Sequence, residues 1–132
     1  MSLKERLTEL STELAELATE AGRSPEEIKL IAVSKTHPSE LIAEAFQAGQ
    51  VCFGENRVQE ASEKIERLQN PVIEWHLIGH LQKNKARFCP GRFDWIHSID
   101  SQELLELLEK QPQPKSTGNS SLPTVCVSQA ID

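Results

Sequence analysis

The sequence has no tyrosine, one methionine, two tryptophans and three cysteines in 132 residues, and aromatic side chains make up only 5%. Without tyrosine no phenol is available as a proton donor or acceptor, which removes a frequent partner in acid–base catalysis. Cys52, Cys89 and Cys126 are odd in number and far apart. That excludes a disulfide framework and offers no C-x-x-C pair. Cys52 and Cys126 lie in apolar runs, where a thiol behaves as a small hydrophobe, and all three are taken as structural. No apolar run approaches the ~20 residues needed to cross a bilayer. Residues 1–20 are studded with glutamate and lack the apolar stretch of a signal peptide, so a cytoplasmic protein is expected. Walker A, GxGxxG, HExxH and GxSxG motifs are also missing.

What is present is an ordinary globular mixture, 38% hydrophobic and 26% charged, with a formal net charge of -6. An acidic chain repels phosphate backbones, which argues against nucleic acid as a general partner. The length suits a single domain, long enough to bury roughly 68% of its unfolded surface.

Leu3, Leu7, Leu10, Leu14 and Leu17 recur at alternating steps of four and three, which predicts an amphipathic helix over residues 1–21. Gly22 stops it, and Ser24-Pro25-Glu26-Glu27 forms a capping box for a brief turn. The apolar run 29–34 reads as a buried strand. A helix follows from about Ser39 to Ala48, then a short strand at 51–53, a helix from Glu55 to Leu68 and a strand over 72–78. A short exposed helix over 81–88, a strand over 93–99 and a helix through Glu109 with Leu104, Leu105, Leu107 and Leu108 inward complete the alternation. The Pro/Ser/Gly-rich stretch 111–122 predicts a flexible loop, and 123–127 a fifth strand. Strands alternating with helices point to a parallel α/β sheet, either doubly wound or part of a (βα) barrel.

In both architectures chemistry sits at the C-terminal strand ends. Those ends carry Ser34-Lys35-Thr36-His37, Gly54-Glu55-Asn56, Gly79-His80 and His97-Ser98-Ile99-Asp100. Lys35 ends an apolar strand, on the face shared by Ile31 and Val33. A partly desolvated amine there would be a nucleophile suited to condensing with an aldehyde; a lysine reaching to solvent is the plainer alternative. His76 and His80 stand four apart but straddle a strand end, so they read as hydrogen-bonded histidines and no metal site is expected. Lys83, Lys85 and Arg87 read as a solvated face, and Glu44, Glu55, Glu60 and Glu63 as helix-face carboxylates.

Four segments carry a resemblance: Leu30-Ile-Ala-Val-Ser-Lys-Thr36; Phe53-Gly-Glu-Asn-Arg-Val-Gln-Glu60; Glu74-Trp-His-Leu-Ile-Gly79 with Leu81-Gln-Lys-Asn-Lys85; and Trp95-Ile-His-Ser-Ile-Asp100. Together they resemble, in order and spacing, the YggS/PROSC group of pyridoxal phosphate homeostasis proteins. The resemblance implies a barrel like the N-terminal domain of alanine racemase, and a non-enzymatic protein that holds pyridoxal 5'-phosphate (PLP) as a Schiff base on Lys35. It carries Asn56, His76 and Ser98 over as further cofactor-binding residues, and PLP-dependent apoenzymes as possible recipients. A complete barrel of this kind needs eight βα units, of which about five are present. The chain is accordingly expected to be a C-terminally truncated, single incomplete barrel over 1–132, prone to self-association through unpaired sheet edges. Two alternatives stay open: an interaction fragment with weakened or lost PLP binding, and a racemase-like PLP enzyme.

Overall fold

The computed structural model describes residues 2–89 and 91–109, together with the backbone of 125–130. The loop expected at 111–122 lies outside the described residues. Helix α1 spans Leu3–Glu20 and opens on a capping box: Ser2 Oγ accepts from the Glu5 amide at 3.1 Å, and the Glu5 carboxylate accepts from the Ser2 amide at 3.2 Å. Leu3 and Leu7 are buried, Leu10 and Leu14 half-buried, and Leu17 is 52% exposed. The five-leucine stripe is therefore seated mainly at its start. An 18-residue helix is about 27 Å long, twice the length of the second helix on which it packs, so its apolar row outruns its cover.

Gly22, at φ 75°, ends α1 in the left-handed conformation that glycine tolerates. The Ser24–Glu27 capping box then turns the chain into strand β1, Ile28–Val33. The alternation continues through α2 (Ser39–Gln47), β2 (Cys52–Glu55), α3 (Val58–Leu68), β3 (Glu74–Leu77), β4 (Trp95–Ile96), α4 (Gln102–Glu109) and β5 (Val125–Ala130). Strands β3 and β4 are shorter than the expected runs 72–78 and 93–99, and further readings differ from the sequence. Helix α3 starts at Val58 because Glu55 is the last residue of β2. Residues 83–88 form a 3₁₀ segment, not an exposed α-helix; Leu81 and Ala86 are drawn inward and buried. In α4 only Leu104 is fully buried, while Leu105 is 43% exposed.

The sheet is parallel throughout, in the order β4-β3-β2-β1-β5. Strands β1 to β4 lie side by side in chain order, as consecutive βα units of a (βα)8 barrel do. The chain thus has an α/β fold with part of that barrel. The expected fifth strand exists, but it lies along β1, from Ile28↔Val125 to Val33↔Ala130, and not beyond β4. It occupies the edge on which the last strand of a closed barrel would seat.

Register sorts the strands into two faces. Ala32, Phe53 and Trp75 stand in one row, and Val33, Gly54, His76 and Trp95 in the next. The first row joins Leu3, Leu7, Ile42, Ala45 and Ile73 in the helix-covered core. A second cluster, Val58, Leu77, Leu81, Ala86, Cys89 and Leu104, lies beneath α4 and the 3₁₀ segment. The opposite face, the interior in a closed barrel, carries Ile31, Val33, Cys52, Gly54, Glu74, His76 and Trp95. Gly54 lets the strands close up there: a Cβ at that position would come within 3.1 Å of both Ile31 and Ile78 side chains.

Candidate cofactor site at the strand ends

The end of β1 is shaped by a buried ionic network. Ser34, fully buried, donates its backbone amide to the Gly54 carbonyl at 2.9 Å and its hydroxyl to the Glu55 carboxylate. Lys64 reaches in from α3 and donates to the Ser34 carbonyl at 2.7 Å and to the two Glu55 oxygens at 3.0 and 3.1 Å. Glu60, one helical turn before Lys64, accepts the Thr36 amide at 3.1 Å. The chain consequently leaves the sheet after Ser34, turns through Lys35 and Thr36, and closes with the His37 amide on the Ser34 carbonyl at 3.1 Å. Thr36 has φ 65°, a costly conformation for a β-branched residue. The Glu60 carboxylate compensates for it.

The charges in this network follow their surroundings. Burial pushes the Glu55 carboxyl above its ordinary range, against the pull of the Ser34 hydroxyl and the Lys64 ammonium. At Glu60 burial also pushes upward, but the Thr36 amide and Lys64 outweigh it and hold the carboxyl below its ordinary range. Lys35 itself is exposed in the turn. The expected partial desolvation is not what the structure has, because β1 stops at Val33 and the turn lifts Lys35 clear of the apolar run.

Asn56 directly follows β2 and is half-buried. Gly79, just past β3, packs on it so closely that a Cβ there would lie 2.4 Å from the Asn56 carbonyl oxygen. A cleft of ≈ 480 Å³ opens between these strand ends, lined by Asn56, Arg57, Gly79, His80, Gln82 and Lys85. Ser98 follows β4 and donates its hydroxyl to the Ile78 carbonyl at 3.2 Å. Lys35, Asn56 and Ser98 therefore all stand at the C-terminal end of the sheet. His76 does not reach that end. It lies one row deeper, fully buried beside Gly54 and Trp95, its ring stacked on Trp95 at 6.1 Å and its Nδ1 2.9 Å from His97 Nε2. Burial lowers its pKa to about 4, so the imidazole is neutral. His80 lies away from it, exposed, 3.4 Å from Asp100.

The basic residues of 83–92 are mostly satisfied locally. Lys83 pairs with Glu103 at 2.6 Å, Arg87 lies over the Phe88 ring, and Arg92 donates to the Phe88 carbonyl at 2.9 Å. Sequence reasoning missed Glu55, Glu60 and Lys64. A signal existed for Lys64: positions 61, 64, 65 and 68 form an i, i+3, i+4, i+7 set, so this lysine shares the inward stripe with Ala61, Ile65 and Leu68.

Over 108 residues, 80% of its length, the chain is 48% identical to the pyridoxal phosphate homeostasis protein of Escherichia coli (strain K12), of which it covers 46%. The chain belongs to the pyridoxal phosphate homeostasis protein family. No family model matches it. Solved structures agree. PipY of Synechococcus elongatus PCC7942, determined with PLP bound, is 52% identical at a TM-score of 0.63, over 74% of this chain and 47% of that one. A protein of unknown function from Bifidobacterium adolescentis superposes at a TM-score of 0.75 with 30% identity, over 82% of this chain and 48% of that one. The chain spans about half the length of the curated pyridoxal phosphate homeostasis proteins it matches.

Proposed function

We propose that this chain binds pyridoxal 5'-phosphate through Lys35 and serves PLP homeostasis in the cytoplasm, holding the cofactor for PLP-dependent apoenzymes without turning over a substrate. The observation that carries this reading is the exposed Lys35 amine in a braced turn directly after β1, one strand from Asn56. The family relation to a structure solved with PLP bound supports it.

The residues present fit the group. Condensation with an aldehyde needs an accessible amine, and Lys35 is exposed on a turn held by Glu60 and Lys64. When bound, the cofactor supplies an electrophilic aldehyde carbon and a phosphate. Asn56 is the neighbouring polar side chain on β2's end, Ser98 lies at the end of β4, and His76 underlies them one row deeper. No described helix is long and apolar enough to cross a membrane.

Borohydride reduction with PLP, followed by peptide mass analysis, tests the assignment. The expected result is a pyridoxyl label concentrated on the peptide containing Lys35. A label absent from Lys35, or spread evenly over all lysines, rejects it. A second property, self-association, is favoured by Trp95, a large apolar side chain 44% exposed on the edge strand β4.

A further inference from the structure

Below the strand ends, the face of the sheet opposite the helix-packed core holds a second cluster, of which the cofactor reading uses His76 alone. Cys52 and Glu74 are register partners on β2 and β3, and His76 follows Glu74 by two residues, so all three side chains stand on one face. Cys52 Sγ lies 3.4 Å from Glu74 Oε2, and His76 Nε2 lies 3.3 Å from Glu74 Oε1. The ligand atoms of all three residues fall within 4.8 Å of one another.

From these positions we propose that Cys52, Glu74 and His76 form a binding site for a zinc-type divalent transition metal. The spacing is close to what the chemistry needs. With Zn–S, Zn–N and Zn–O bonds of about 2.3, 2.0 and 2.0 Å, a tetrahedron has S···O edges of about 3.5 Å and N···O edges of about 3.3 Å. Cys52 Sγ and His76 Nε2 approach different oxygens of Glu74, so the carboxylate needs a small rotation to present one oxygen to both, within a cluster whose ligand atoms already lie within 4.8 Å of one another. Thiolate, imidazole and carboxylate together select a borderline metal over magnesium or calcium, which take oxygen ligands only.

A second observation points to a ligand. His76 is fully buried, yet among the described residues its Nε2 makes no hydrogen bond, although it faces Glu74 and Cys52. Its other nitrogen is fixed by His97 at 2.9 Å. If Nδ1 carries the proton toward His97, Nε2 presents a lone pair to the cluster, the tautomer a metal-bound histidine requires. Glu74 is in turn held by Lys29, whose ammonium donates to Oε1 at 2.7 Å while lying over the Trp95 ring. An outer partner of this sort orients a ligating carboxylate. Its positive charge also opposes a cation, so affinity is moderate, and binding releases the Cys52 proton as the thiolate forms. Cys52 and Glu74 are only partly buried, leaving a path for entry and a fourth position for water.

The inference stands apart from Lys35 and does not depend on PLP. It is tested by titrating the full chain, free of cofactor, with Co²⁺ and following its absorption. One equivalent is expected to produce a near-ultraviolet thiolate-to-cobalt band with visible bands of tetrahedral intensity, both abolished by added Zn²⁺. Cys52→Ser is expected to lose the near-ultraviolet band, Glu74→Gln to weaken binding at least tenfold, and Lys35→Ala to leave the titration unchanged. His76→Gln disturbs a buried ring, so Cys52→Ser and Glu74→Gln, checked by circular dichroism, decide the outcome. Absence of the near-ultraviolet band in the unsubstituted chain, its persistence in Cys52→Ser, or unchanged affinity in Glu74→Gln overturns the site.

Discussion

Replacing Lys64 by methionine removes the only cation touching Glu55 among the described residues while nearly preserving the volume of the side chain. Glu55 is fully buried at the end of β2, and Lys64 is 9% exposed. In the native chain the ammonium satisfies both carboxylate oxygens and the Ser34 carbonyl at 2.7–3.1 Å. Removing one partner of a buried pair strands the other charge, at a cost of about 3–5 kcal/mol. Domains of this size have about 5–15 kcal/mol in total, so a large share of the stability goes. At a urea slope of about 2 kcal/mol/M the unfolding midpoint falls by about 2 M. Burial already raises the Glu55 pKa, and loss of Lys64 raises it further. A carboxyl whose folded pKa lies above its unfolded value loses stability as pH rises through the folded value. The Lys64→Met deficit is therefore largest at neutral pH and shrinks on acidification toward 4.5. Adding Glu55→Gln neutralises the stranded charge and is expected to restore all but about 1 kcal/mol of the loss, the remainder being the cost of the unpaired Ser34 carbonyl. Urea denaturation of the two single variants and the double variant measures this coupling. A Lys64→Met loss below about 1 kcal/mol, or strictly additive losses in the double variant, refutes the claim that the network braces the Lys35 turn.

Two further outcomes follow from the same geometry. Gly79→Ala places a Cβ 2.4 Å from the Asn56 carbonyl oxygen and 2.8 Å from its Cα, where only backbone can yield, whereas Gly54→Ala meets flexible isoleucine tips at 3.1 Å. Thermal or urea unfolding should show Gly79→Ala as the more damaging, by about 1–3 kcal/mol; an equal or larger loss in Gly54→Ala would contradict the close approach. Glu60 is held below its ordinary pKa despite burial, by the Thr36 amide and Lys64. Its stabilisation is present above pH 4.5 and lost as pH falls through the folded value. Glu60→Gln is thus expected to flatten the acid limb of the stability profile, and an unchanged limb would count against the Thr36 contact.

Much of the fold was legible along the chain. The Ser24 capping box, the apolar run of β1 and the stop at Gly22 are local signals, and local hydrogen bonding realises them. Lys35 and Asn56 could be placed at strand ends because strands in a parallel α/β sheet all point one way. The depth of each residue was less legible, since it depends on register. His76 looked like another strand-end residue, but β3 runs only to Leu77 and pairs His76 with Gly54, which sets it one row down. Glu55 and Lys64 carry the composition of a solvated surface, and only the packing of α3 over the end of β2 desolvates them together.

The amino-acid order by itself determined the alternation of strands and helices, the family relation and the identity of the strand-end lysine, because each of these is written in contiguous residues. Tertiary structure alone decided that β5 lies along β1, that the Lys35 turn stands on a buried ion pair, and that Cys52 meets Glu74 and His76. Those are contacts between residues from different strands and helices. Such contacts exist only once strand register and helix packing have chosen which side chains share a face and which lose their water.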